Sequence, residues 1–253
     1  MQLIQITPIR ISDDIRLYND LSAIILEAID RSQIGMRNGD ILVVTHKIVS
    51  KAEGRVVDLA SIKPSIKAIS LAKEHDKDPR VMELILKESS QILRAKNGII
   101  ISETKHGFVC ANAGVDQSNV EGDTAVLLPV APDQSAGRLQ EAVKEKIGKE
   151  IAVIITDTFG RTFRNGQTNV AIGVAGINPI KSYIGTYDMY GRKLRVTEIA
   201  VADEIASAAE LVMGKAERTP VAIVRGYNFE KASKTSVKSL LRAKERDLFR
   251  QQL

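Results

Sequence analysis

The stretch Asn112-Ala113-Gly114-Val115-Asp116-Gln117-Ser118-Asn119 gathers hydrogen-bonding side chains directly after a hydrophobic run at 108–111. Asp116 offers a hard anionic oxygen of the kind magnesium or manganese prefers, and Asn119 an amide able to bind a base, ribose or phosphate. The same residues also suit a turn in which Asn and Asp bond their own backbone. A second acid, Asp157, stands between the hydroxyls of Thr156 and Thr158 after the β-branched run at 150–155, with Arg161 and Arg164 following. Ligands of open α/β sheets collect at the carboxyl ends of strands, so an acid there is well placed for chemistry. The other reading is a strand-end turn in which Asp157 caps the next segment. Mg²⁺ commonly takes one or two protein carboxylates together with water and phosphate oxygens, so Asp116 and Asp157 suffice if the fold brings them together.

A cluster of cations, His46, Lys47, Lys51 and Arg55, follows the apolar run at 41–44. Such charges can hold a triphosphate and offset the charge that develops in phosphoryl transfer, or they can form a solvated basic face. His46 taken alone reads as structural. Asp203 and Glu204 open a helix, where acids complement the dipole; Gly214 closes it and exposes Lys215 within reach of a phosphate. Tyr187, Tyr190, Arg192 and Arg195 suit recognition of an acidic substrate or an ordinary exposed hairpin. There is no G-x-x-x-x-G-K-[ST], so the phosphate site is not a P-loop. The glycines in VAIGVAGI (170–177) lack dinucleotide-binding spacing, and that stretch reads as a packed strand or turn. No Ser/His/Asp signature or H-E-x-x-H is present, and the three histidines lack metal-ligand spacing, which sets hydrolases and zinc enzymes aside.

The elements expected to position these residues alternate between helix and strand. Strands are expected at 3–6, 41–44, 98–102, 108–111, 125–128, 150–155 and 221–224, those at 98–102 and 108–111 forming a hairpin. Helices are expected at about 14–30, 64–74, 79–90 with Asp78 as cap, 135–149, 202–214 and from about 236. The pattern predicts an α+β (mixed α/β) fold with an extensive sheet and flanking helices. At 253 residues the chain suits one large domain or two closely packed ones, with no linker or repeat to mark a boundary.

The formal net charge of +5 is spread along the chain, aromatics are 4%, and no nucleic-acid-binding motif occurs, so nucleic acid is not an expected partner. No apolar run reaches the roughly 18 residues of a membrane span, and the first residues read as strand, so a cytoplasmic protein is expected. The single cysteine, Cys110, excludes an internal disulfide and reads as a small buried hydrophobe. Residues alone lead to a metal-assisted enzyme for phosphorylated or anionic ligands.

The strings SKAEGR, NAGVDQSNV, LLPVAPDQSA, VIITDTFGRTFRNGQT, AIGVAG, YGRKLRVTEIAVADE and PVAIVRG, in this order, resemble the coenzyme F420-0:gamma-glutamyl ligase family over essentially the whole chain. FRNGQT and the pair Gly214-Lys215 are especially similar to the ligase domain fused in actinobacteria to a nitroreductase-like domain, although the stand-alone type is implied here. The resemblance implies a family-specific fold, an intertwined homodimer, and GTP-dependent addition of L-glutamate, one and then a further γ-linked residue, to coenzyme F420-0 and F420-1 through an acyl phosphate. It implies Asp116, Asp157 and Lys51 as catalytic residues. It implies Mg²⁺ or Mn²⁺, two ions per site, on Asp116 and Asp157 with Thr158 helping the second, and it admits K⁺. Around GTP it implies Pro8, Ile9, Arg10, Ile11, His46, Lys47, Lys51, Asn119, Gly214 and Lys215. Some archaeal relatives carry an acid in place of Lys215, so the second ion's ligands would differ here. A related amide ligase with another acceptor, or a nucleotide-binding protein without activity, is the alternative.

Overall fold

The computed structural model describes residues 3–248. The chain runs β1 (Gln5–Ile9), α1 (Leu21–Arg31), β2 (Ile41–Thr45), α2 (His46–Ala52), β3 (Val56–Asp58), α3 (Ile66–His75), α4 (Pro79–Glu88), β4 (Ser89–Lys96), β5 (Ile99–Thr104), β6 (Val109–Ala111) and β7 (Thr124–Val126). It continues through α5 (Pro132–Ile147), β8 (Ala152–Arg161), β9 (Arg164–Ile177), β10 (Lys181–Ser182), β11 (Glu198–Ile199), α6 (Val201–Met213), β12 (Val221–Arg225) and β13 (Lys231–Ala232). The fold is mixed α/β, as its alternating pattern predicts.

The largest sheet has the order β1-β12-β2-β8-β9-β13. β2 and β8 are its centre because both are continuous apolar runs, Ile41 to Val44 and Ala152 to Ile155, buried on both faces. They pair parallel, while every other pairing in this sheet is antiparallel. Helices α1, α5 and α6 contribute Ile25, Val143 and Ala206 to the same apolar cluster. A second cluster, around Met82, Ile85 and Ile100, joins α3 and α4 to the small sheet β4-β5-β6. VAIGVAGI is indeed strand, within β9. Its Gly173 is required because a Cβ would stand 2.6 Å from the Pro132 backbone. No helix among the described residues is long and apolar enough to cross a membrane.

Several boundaries differ from expectation. β1 lies at Gln5–Ile9 rather than 3–6, set by its pairing with β12. The first helix begins at Leu21 because Asp20 accepts from the Ala23 N–H and ends the irregular stretch before it. α3 begins at Ile66 rather than 64, with Ser65 as its cap. Of the basic cluster after β2, His46, Lys47 and Lys51 lie in a helix, α2, and Arg55 in the chain just before β3. α4 passes straight into β4, a strand that sequence reading does not predict. β8 does not end at Ile155: it runs through TDTFGR to Arg161, paired with β9 as one long hairpin. The helix expected from 236 is replaced by two 3₁₀ turns, Val237–Leu240, tied to Asp133 through the Ser236 hydroxyl and the Val237 N–H, and Lys244–Arg246; its continuation past 248 lies outside the described residues.

Candidate functional site

The register of the large sheet sets Ile9, Val221, Val44, Ile155 and Gly173 side by side in one row. The next row carries Thr45 beside Thr156, with the Thr45 N–H donating to Pro220 O at 2.9 Å. One residue further lie His46 and Asp157, and the Ile11 N–H donates to Arg218 O at 3.0 Å. This edge therefore unites the ends of β1, β2 and the apolar half of β8 with the chain that follows α6.

α2 begins exactly where β2 ends, and its first two residues each take one carboxylate. His46 is buried, with Nε2 at 3.2 Å from Asp157 Oδ1 and Nδ1 at 3.4 Å from the Ser50 hydroxyl one helical turn on. Lys47 turns the other way, its ammonium 2.7 Å from Asp116 Oδ2 and 2.5 Å from the Ser118 hydroxyl. Consecutive residues of one helix thus hold the two acids that stand 41 positions apart in sequence. Asp116 is fixed by its strand-like bridge to Val126 and by the Ser118 N–H, which donates to Oδ1 at 2.7 Å. Burial works against ionisation of Asp116, but the bonds from Lys47 and Ser118 together outweigh it and hold the carboxyl below its ordinary range. The turn leading into Asp116 has Asn112, Ala113 and Gly114 all at positive φ, so the backbone enters the site along a fixed path.

On the other side, Asp157 Oδ1 accepts the Thr158 N–H at 2.7 Å. The Thr158 hydroxyl donates to Asn169 Oδ1 at 2.7 Å and receives the Lys215 ammonium at 2.7 Å. Asn169 stands opposite Thr158 in the β8–β9 register, and its amide donates to Thr156 Oγ1 at 3.2 Å. Lys215 also pairs with Glu210 Oε1 at 3.1 Å. Asn169 and Glu210 escape sequence reading because each is one polar residue among several in its element, with no local motif to single it out. The available signal is that Asn169 falls opposite Thr158 once TDTFGR and FRNGQTNV are folded on each other as a hairpin. Asp203, expected at a helix start, does not cap α6. It accepts the Ala171 N–H at 2.9 Å beside the register shift in β9, and burial raises its carboxyl above the ordinary range.

Lys51 lies one turn beyond Lys47 on α2 and pairs with Asp14 at 3.6 Å rather than with either site acid. Ile9 and Ile11 are core residues, so only their backbone and the exposed Pro8 and Arg10 side chains face outward. Asn119 is exposed at positive φ, next to Ser118. Gly214, at φ 60°, ends α6 and turns Lys215 back toward Thr158. Arg161 bonds Asn165 O at the hairpin tip, and Tyr187, Tyr190, Arg192 and Arg195 lie in the excursion between β10 and β11, outside this cluster. A cavity of ≈ 270 Å³ lined by Ser22, Glu53, Ser135 and Arg138 contains none of these residues.

Cys110 is buried, as expected, and burial followed by the nearby Asp157 charge pushes its thiol up to about 12. At pH 8 the native thiol is expected to resist iodoacetamide and to react fully on unfolding; mass spectrometry showing rapid labelling of the folded protein contradicts this environment.

Among the described residues no three His, Cys, Asp or Glu side chains converge as a metal cage. The donors present are of the other kind: Asp116 and Asp157, hard carboxylate oxygens held by successive residues of α2, with the Lys47 ammonium as the cation now balancing Asp116. That set fits a magnesium- or manganese-type ion completed by water and phosphate oxygens.

A family model described as F420-0:Gamma-glutamyl ligase matches residues 9–226. The chain is 49% identical to the Coenzyme F420:L-glutamate ligase of Methanothermobacter thermautotrophicus, covering 92% of this chain and 93% of that protein. It is 45% identical to the protein of the same description from Methanocaldococcus jannaschii, covering 87% and 88%. The Methanopyrus kandleri counterpart is 42% identical over 98% of each chain.

Proposed function

Because the chain belongs to the F420-0:Gamma-glutamyl ligase family, we propose that it joins L-glutamate to the terminal carboxylate of coenzyme F420-0, and then adds a further γ-linked glutamate, at the expense of GTP. The observation that carries this reading is the pair His46 and Lys47, which draws Asp157 and Asp116 to one edge of the sheet beside cationic side chains. A carboxylate is a poor electrophile until one of its oxygens becomes a leaving group. In the proposed reaction the acceptor carboxylate attacks the γ-phosphate and GDP departs; the glutamate amine then displaces phosphate from the acyl phosphate. Little covalent work falls to the protein, whose task is positioning and charge neutralisation.

Asp116 and Asp157 would hold one Mg²⁺ or Mn²⁺ ion, which when bound screens the negative charge between phosphate and carboxylate. Lys47 sits on a flexible stem and can exchange Asp116 for a phosphate oxygen, and Lys51 on the same helix face lies ready for the remaining phosphates. His46, buried and backed by Ser50, fixes the Asp157 carboxylate through Oδ1, and Oδ2 would serve the ion. Pro8 to Ile11, Asn119 and the turn at Gly214 border the same edge and are proposed to close on the nucleotide.

Purified protein supplied with GTP, Mn²⁺, L-glutamate and coenzyme F420-0 is expected to yield products heavier by one or two glutamyl units with stoichiometric GDP. Mass spectra showing no addition with either Mg²⁺ or Mn²⁺ would sink the assignment.

We further propose a homodimer. The excursion between β10 and β11 pairs only with itself in the sheet pattern and exposes Tyr187, Met189, Tyr190 and Val196, while the β8–β9 tip exposes Phe163. Such a concentration of large apolar side chains marks an interaction surface. Sedimentation is expected to show a dimer that dissociates when Met189 and Tyr190 are both replaced by Asp; a wild-type monomer at micromolar concentration overturns it.

A further inference from the structure

We propose that Lys215 supplies a built-in cation at Thr158, so that this chain takes up one divalent ion per protomer where the family resemblance implies two. The inference rests on the reading that Asp116 and Asp157 hold the first ion. The ammonium of Lys215 is surrounded by three oxygens: Thr158 Oγ1 at 2.7 Å, Glu210 Oε1 at 3.1 Å and Asn169 Oδ1 at 3.2 Å. Asn169 cannot turn that oxygen away without losing the bond from its amide to Thr156 Oγ1 at 3.2 Å, inside the sheet where Thr156 is wholly buried. The Thr158 hydroxyl is committed as well, its proton on Asn169 Oδ1 and its lone pair toward Lys215.

A magnesium-type ion bound to the Thr158 oxygen at about 2.1 Å would therefore lie within about 5 Å of the ammonium, with no additional carboxylate to separate the two positive charges. Glu210 already balances Lys215. Lys47 also meets three oxygens, Asp116 Oδ2 at 2.7 Å and the Ser118 hydroxyl and carbonyl at 2.5 and 3.3 Å, but its carboxylate partner is itself a proposed ion ligand, so an arriving phosphate can replace the carboxylate while a metal takes over Asp116. Lys215 has no such exchange: its carboxylate partner, Glu210, is not one of the acids proposed to hold the ion. The side of the site at Thr158 is thus served by a single charge carried on the chain, and the side at Asp116 and Asp157 by an exchangeable ion.

The test counts ions instead of turnover. Mn²⁺ is titrated into protein saturated with a non-hydrolysable GTP analogue, and free Mn²⁺ is followed by its paramagnetic resonance signal. One bound ion per protomer is expected for the wild type, none for Asp157→Asn, and two for Lys215→Glu, which removes the ammonium and adds an oxygen donor beside Glu210. Thr158→Val, which keeps the side-chain volume, is expected to retain one. Two ions on the wild type overturn the inference while leaving the ligase reading intact, and so does loss of the single ion in Thr158→Val. A count of one for Lys215→Glu overturns the role given to Lys215. No binding by the wild type overturns the inference together with the Asp116 and Asp157 site on which it rests.

Discussion

Replacing Asp157 with Asn is expected to lower the rate of glutamyl transfer by at least about 10²–10³-fold, the scale on which loss of one preorganised electrostatic group is felt in an active site. Asn keeps the shape and still accepts the Thr158 N–H through its carbonyl oxygen, so the β8–β9 hairpin has no reason to change. What is lost is the negative charge beside His46. The expected signature is therefore a fall in kcat measured by GDP release, with a melting temperature within about 2 °C of the wild type. A rate within threefold of the wild type at saturating Mn²⁺ refutes the role given to Asp157. Asp116→Asn tests the opposite half of the site and frees Lys47, whose ammonium then lacks its carboxylate.

The largest expected effect on stability lies at the other end of the same central strands. Asp40 precedes β2, is 1% exposed, and accepts from Arg225 Nε at 2.8 Å, Arg225 Nη2 at 2.7 Å and the Arg37 N–H at 2.7 Å. Asp40→Ala removes these acceptors and strands a largely buried guanidinium, whose remaining partner is Gly35 O at 2.8 Å. Breaking one partner of a buried pair costs about 3–5 kcal/mol, a large share of the 5–15 kcal/mol that typically separates folded from unfolded protein. Urea unfolding measures it directly. Replacing both residues with apolar side chains of similar size is expected to recover much of that loss, because the stranded charge goes with its partner. A single-variant loss below about 1 kcal/mol would mean that water replaces the pair.

Long periodic elements were legible in the sequence: the buried runs of β2 and β8, α4 with its Asp78 cap, and the mixed α/β class. Asp116 and Asp157 stood out as candidates, because an acid beside an apolar strand is conspicuous. Less visible was what joins them. His46 and Lys47 read as two cations after a strand, and only the abrupt change from β2 to α2 shows that one points inward to Asp157 and the other outward to Asp116. The strand-end loop expected at Asp157 proved to be mid-strand, since β9 pairs with β8 nearly to its tip and supplies hydrogen bonds that local propensity cannot foresee. Asn169 and Glu210 belong to the site through tertiary register alone. The residues at 9 and 11 were drawn into the expected nucleotide set, yet their side chains are core, leaving backbone as their means of contact.

The parallel contact of β2 with β8 also bears on how the molecule is made. Thr45 pairs with Thr156 across more than a hundred intervening residues, so closing that contact carries the entropy of a long loop and raises the average sequence separation of native contacts. Chain emerging from the ribosome holds His46, Lys47 and Asp116 well before Asp157 exists. The proposed nucleotide site is thus completed late, with the central sheet, and a nucleotide probe added during refolding is expected to report that late step rather than an early one.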